Sequence, residues 1–195
     1  MNSNSTWFAA LHDSLVSYRR MIDATVDQLT DAELMARPAS GFNSVANILR
    51  HLGGNLRSRW SDFLTTDGEK EDRQRDTEFE DWAGDRESLL EFFNAGWQKL
   101  ESAFDLIDET NIEQIIYVRG EPHTIPQALE RAITHIAYHT GQITMVGRMV
   151  HQGDWKWLTI APGTSGEFNK KTWGTSASQG VLASEAGRGS DHDAL

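Results

Sequence analysis

His135 and His139 stand four residues apart in the stretch Thr134-His135-Ile136-Ala137-Tyr138-His139, where apolar residues recur with a helical period. On a helix that spacing puts two imidazoles on the same side, one turn apart, within reach of a common ion. Taken alone, such a pair also fits two half-buried rings that hydrogen-bond locally. Both histidines, however, fall at the edge of the apolar stripe rather than on its solvated side. His51 occupies a similar edge position on a second predicted helix, so packing the two helices side by side brings three rings together. His12, His151 and His192 fall near a helix start, a helix end and a tail. His123 precedes the last predicted helix and is the one further ligand or substrate contact the sequence offers.

Three neutral imidazoles on a first-row divalent ion leave at least one position open, whereas a structural zinc site is normally closed by four protein ligands. Imidazole suits Zn, Ni, Fe and Cu alike, so the sequence does not choose the metal. Ligating histidines usually donate their second N–H to a carboxylate, amide or carbonyl. Asn47 and Asn55 beside His51, and Gln142 beside His139, stand one helical turn away and are candidates for that role.

Four long helices must position these residues, making an all-α four-helix bundle. The first, near residues 5 to 28, is marked by Trp7, Phe8, Leu11, Leu15, Tyr18, Ile22, Val26 and Leu29 at three- and four-residue steps. Thr30 with Glu33 resembles a capping box for a short turn, before Pro38 to Gly41 break the chain. Ser44 caps a second helix over about 44 to 64, interrupted by Gly53 and Gly54, each roughly 1 kcal/mol worse than Ala in a helix interior. Such a pair implies a kink or a close backbone approach just after His51.

Residues 65 to 86 read as a charged, solvated loop that Phe79 and Trp82 anchor, and a third helix follows over 86 to 107. Ile112 to Val118 is β-branched and ends in Gly120-Glu121-Pro122, which allows a short extended or hairpin segment. Thr124 caps the fourth helix, 125 to 150, expected beside the second. Residues 155 to 173 carry aromatic residues without helical period and read as irregular. One domain over 1 to 174 and a disordered tail over 175 to 195 complete the expected organisation.

The 195 residues carry a net charge of -11, which disfavours nucleic acid and anionic membrane surfaces as partners. The start of the sequence lacks a basic leader with an apolar block, and no apolar run approaches the ~20 residues of a membrane span, so a cytoplasmic protein is expected. There is no Cys. Any thiol chemistry must therefore use a thiol supplied from outside.

Asn43-Ser-Val-Ala-Asn-Ile-Leu-Arg-His51-Leu52 and Thr134-His-Ile-Ala-Tyr-His139-Thr-Gly-Gln142-Ile143 resemble the two signature stretches of the DinB/YfiT-like superfamily. The Arg73-x-Arg75-Asp76-x-Glu78-Phe79 loop, Gly120 to Thr124 and Trp155 to Asn169 resemble one branch of it, so that the likeness covers about residues 5 to 170. The resemblance implies a four-helix bundle of the DinB/YfiT-like type, with His51, His135 and His139 as metal ligands. It also implies relatives that use low-molecular-weight thiols, in bacillithiol conjugation and a mycothiol-dependent isomerisation.

Three functions follow as expectations. The first is a metal-dependent transferase in which a low-molecular-weight thiol attacks a small electrophile, with Arg73, Arg75 or Arg131 orienting an anionic group if they are more than solvated charges. The second is a hydrolase using metal-bound water with Glu78 as general base, which requires a carboxylate near the open position. The helical wheels place no Asp or Glu beside the histidines. The third is a non-catalytic, metal-stabilised binding module, possible as a homodimer through exposed helix faces; absence of a pocket above the metal would favour it.

Overall fold

Three of the helices start at capping boxes written into the chain. Thr30 with Glu33 opens α2 (Asp31–Met35), Ser44 with Asn47 opens α3 (Val45–Trp60), and Thr124 with Gln127 opens α5 (Ile125–Val150). In each the side-chain oxygen of the first residue accepts the backbone N–H of the third helical residue, which in turn caps back. Asp85 caps α4 (Arg86–Leu106) by accepting the N–H of Ser88 at 2.9 Å. The computed structural model describes residues 3–173, beginning with α1 (Ser3–Val26).

The chain is thus mostly helical, with four long helices close to the expected spans. The second ends earlier than residue 64, at Trp60, because Ser61 turns extended and Asp62 takes a positive φ of 48°. Phe63 still reaches the core from the turn that follows. α3 packs on α4 and on α5, and α1 packs on α5, so the two histidine-bearing helices are neighbours. Ile22, Leu49, Leu52, Phe93, Leu100, Leu129, Ile136 and Ile143 are fully or almost fully buried between them. Each contributes about 1.5–3 kcal/mol of hydrophobic burial.

The glycine pair of α3 marks close approach rather than a kink, since α3 is continuous through it. A Cβ on Gly53 would stand 2.9 Å from the Phe93 Cα, and one on Gly96 would run into the Gly53 backbone, so α3 and α4 meet backbone to backbone.

A small two-stranded antiparallel sheet joins α4 to α5: β1 (Ile115–Val118) and β2 (Glu121–Thr124), with Val118 opposite Glu121. Arg119 and Gly120 between them have φ of 57° and 75°, the two-residue turn whose twist suits a hairpin. Asp67 fixes this turn by accepting both backbone N–H groups, at 2.8 Å from Arg119 and 2.7 Å from Gly120. The same loop donates the Gly68 N–H to the Tyr117 carbonyl at 2.7 Å.

The described residues fall into two compact units divided between Trp155 and Lys156. The second contains α6 (Ser165–Trp173), where an irregular segment was expected. Its helix is short and its side chains through Lys171 are mostly exposed, so it has little apolar period to read. The expected tail over 175 to 195, with His192, lies outside the described residues. Among the described residues no helix is long and apolar enough to cross a membrane.

Candidate metal centre

α3 brings His51, and α5 brings His135 and His139, to one point at the boundary of the core. His135 Nε2 lies 3.2 Å from His51 Nε2 and 3.1 Å from His139 Nε2. One ligand atom from each ring falls within 4.8 Å of the others, so the three histidines could hold a metal ion. His51 is buried and the other two are half-buried.

Two rings have their tautomer set from outside the cluster. His51 Nδ1 meets Glu78 Oε2 at 2.8 Å, and His139 Nδ1 meets Gln142 Oε1 at 2.7 Å. Both partners accept, so each Nδ1 carries the proton and each Nε2 presents a lone pair to the centre. Lone pairs converging in this way suit a cation among them. Protons compete poorly for the site. Burial, aided by the neighbouring histidines, lowers His135 to about 3; burial, aided by His51, lowers His139 to about 4.

Glu78 arrives from the charged loop, at the 3-10 turn Arg75–Phe79. Its side chain is only 6% exposed, and Arg73, 4% exposed, grips it with Nε to Oε1 and Nη2 to Oε2, both at 2.9 Å. Burial by itself would raise the Glu78 carboxyl, but the hydrogen bonds from His51 and Arg73 prevail and hold it below its ordinary value. Gly54 makes the room: a Cβ there would stand 3.0 Å from the Glu78 Cδ and closer still to Oε1. Phe79 stacks on the His51 ring at 5.2 Å between centroids, which is the anchoring expected of it.

The loop expected to be solvated therefore supplies a buried ion pair to the site. Helical wheels of α3 and α5 rightly carry no carboxylate there, because Glu78 belongs to neither helix. Its carboxylate engages Nδ1 of His51, the far side of the ring from the three Nε2 atoms. A general base at the open position is thus not the role its hydrogen bonds assign it. Its arrival leaves one readable trace in the sequence, the missing side chain at Gly54 three residues after His51.

The other candidates divide. Gln142 orients His139 as its spacing suggested, and its Nε2 donates to the Tyr138 hydroxyl at 2.9 Å. Asn47 does not reach His51; it closes the Ser44 capping box and donates to the Glu80 carbonyl at 2.6 Å. Asn55 lines the adjacent cavity. His123 is outside the cluster, with Nδ1 3.0 Å from the Glu121 carbonyl and Nε2 3.4 Å from Arg131. His12 packs edge-on to Phe104, and His151 pairs with Glu33 at 3.3 Å.

A cavity of about 1000 Å³ opens beside the cluster, and His51 and His135 form part of its wall. A smaller one, about 400 Å³, lies on the side of Glu78 and Arg73 and touches none of the three histidines.

Fold and site together define a mostly helical protein with a three-imidazole cluster that could hold a metal ion, next to a cavity of about 1000 Å³. The chain belongs to the DUF1572 family, described as a protein of unknown function, whose pattern matches residues 2–164. No curated protein and no solved structure matched it.

Proposed function

We propose that this protein is a divalent-metal-dependent enzyme whose ion, Zn, Ni or Fe, is held by His51, His135 and His139 in a bundle of the DinB/YfiT-like type. Its reaction is the transfer of a low-molecular-weight thiol to a small electrophile. The observation that carries the metal reading is the convergence of three Nε2 atoms while Glu78 and Gln142 hold the opposite nitrogens of two of the rings. Such an ion lowers the pKa of a thiol or water that approaches it. Glu78 and Gln142 hold two imidazoles with Nε2 toward the ion, and the cavity admits the substrate. The chain supplies no cysteine of its own to react or to fill the open position.

The cavity favours this over a non-catalytic module, for which no opening above the ion is needed. A hydrolase is less well supported, because no carboxylate among the described residues joins the three histidines as a ligand neighbour. The decisive experiment is metal analysis and cobalt substitution. Protein purified without chelator should carry up to one divalent ion per chain, and His51→Ala, His135→Ala or His139→Ala should each weaken binding sharply while His12→Ala does not. A small thiol added to the cobalt form should produce a sulfur-to-metal charge-transfer band. Equal metal content in wild type and the triple His→Ala variant refutes the metal site; no response to thiol but a pH-dependent spectrum near neutrality replaces the transferase by a hydrolase.

A further inference from the structure

The cavity beside the three histidines has a charge opposite to that of the molecule. In a chain of net charge -11, its lining includes Arg59, Arg73, Arg75, Arg119 and Arg131, and Glu130 is the one acidic residue among the residues that line it. The available carboxylates do not neutralise this group. Glu69 is shared by Arg59 at 2.8 Å, Arg119 at 3.0 Å and Arg73 at 3.7 Å, while Glu78 serves His51 as well as Arg73. Arg75 has Asp76 only at 3.9 Å, with that carboxylate fully exposed, and stacks over Phe79. Arg131 meets the His123 ring at 3.4 Å and has no ion-pair partner among the described residues. Low-dielectric walls around uncompensated cations focus a positive potential into such a cleft.

The rest of the lining includes the apolar side chains of Trp7, Trp60, Ile116, Val118, Ala128 and Ala132, beside the neutral polar Asn55, Gln127 and Thr134. The arginines of the lining suit an anionic head and its apolar residues a hydrophobic body.

We propose that this cavity binds an amphipathic organic anion, a carboxylate or phosphate ester carried on an aromatic or aliphatic body, as the substrate class of the metal centre. The proposal rests on the metal reading only for the word substrate; the binding itself depends on the arginines and the apolar wall. Arginine forks match both carboxylate and phosphate, and the body would lie against Trp7 and Trp60.

The test is calorimetric titration of the full chain in chelator, so that no metal contributes, with 4-phenylbutyrate, phenyl phosphate, 4-phenyl-1-butanol and acetate. At least one aromatic anion should bind about tenfold or more tighter than both the alcohol and acetate, a difference of about 1.4 kcal/mol; which anion wins identifies the head group. Arg75→Gln/Arg131→Gln, two exposed positions whose replacement leaves the core intact, should weaken that anion about tenfold and quench less of the tryptophan fluorescence change it causes. Alcohol or acetate binding as tightly as the anions, or an unchanged affinity in the double variant, overturns the proposal. Anion binding by a wild type that takes up no metal would leave this inference standing and remove the metal reading alone.

Discussion

Replacing Gly54 by Ala sets two effects of opposite sign against each other. Ala is better than Gly in a helix interior by about 1 kcal/mol, so helix propensity alone makes the variant more stable. The new Cβ, however, would stand 3.0 Å from Glu78 Cδ and nearer to its oxygen. A flexible side chain would swing away, but Glu78 is pinned by two bonds from Arg73 at 2.9 Å and one from His51 at 2.8 Å. Hydrogen bonds to charged groups contribute about 1.5–3 kcal/mol each, so loss of one or two outweighs the propensity gain of about 1 kcal/mol and leaves a net destabilisation of about 0.5–5 kcal/mol. Loss of the group that orients His51 should also weaken metal binding by about 10–100-fold. Urea unfolding in chelator reads the first effect, and competition with a zinc chelator reads the second. Gly53→Ala separates them: its Cβ meets the Phe93 backbone and not Glu78, so it should lose stability while the folded protein keeps its metal affinity. A Gly54→Ala protein that is more stable than wild type and binds zinc equally well would refute the role given to Glu78.

Gln142→Ala should lower zinc affinity about tenfold, because His139 loses the acceptor of its Nδ1 proton, with little change in urea midpoint at this half-buried position. Glu33 accepts the backbone N–H groups of Thr30 and Gln152, which lower its carboxyl from 4.5 to about 2. Its contribution is therefore full above pH 4.5 and lost as pH falls toward 2, and Glu33→Gln should flatten the acid limb of Tm against pH in that window. In the metal-free protein burial lowers His135 to about 3 and His139 to about 4 from 6.5, so unfolded imidazoles take up protons first. Stability should fall as pH drops below 6.5 and continue to fall toward 4. His135→Gln/His139→Gln should be flatter over that range in thermal melts, and parallel curves for the two proteins would contradict the burial of the rings.

What the sequence discloses depends on how each residue reaches the site. His135, His139 and Gln142 lie within two turns of one helix, so helical geometry alone fixes their mutual placement, and His51 follows from a second helix whose apolar face must meet the first. The capping residues of α2, α3 and α5 are local and were equally legible, although Asn47 closes its cap and does not reach His51. The hairpin was half visible: β-branched residues before Gly120 suggested it, but the clamp from Asp67 is a contact across 52 and 53 residues that no local pattern encodes.

The charged loop is the instructive failure. A run of Glu, Asp and Arg reads as solvated because isolated charges are expensive to bury, yet Arg73 and Glu78 are buried together and with His51, each compensating another. Such a pair has no period, and its members are not distinguishable by type from Arg75 and Asp76 beside them. What distinguishes them is the partner surface. Gly54 removes the side chain that would exclude Glu78, and Phe79, immediately after it, covers the His51 ring. A glycine that disfavours its helix and is not required for a turn implies that something approaches there. In α3 two adjacent glycines admit two different neighbours, the α4 backbone at Gly53 and the Glu78 carboxylate at Gly54. The second of these ties the orientation of a candidate metal ligand to the folding of a loop 27 residues away in sequence. Binding of an ion by His51 and ordering of the Arg73 to Phe79 loop should therefore reinforce each other, because each holds one side of the same imidazole.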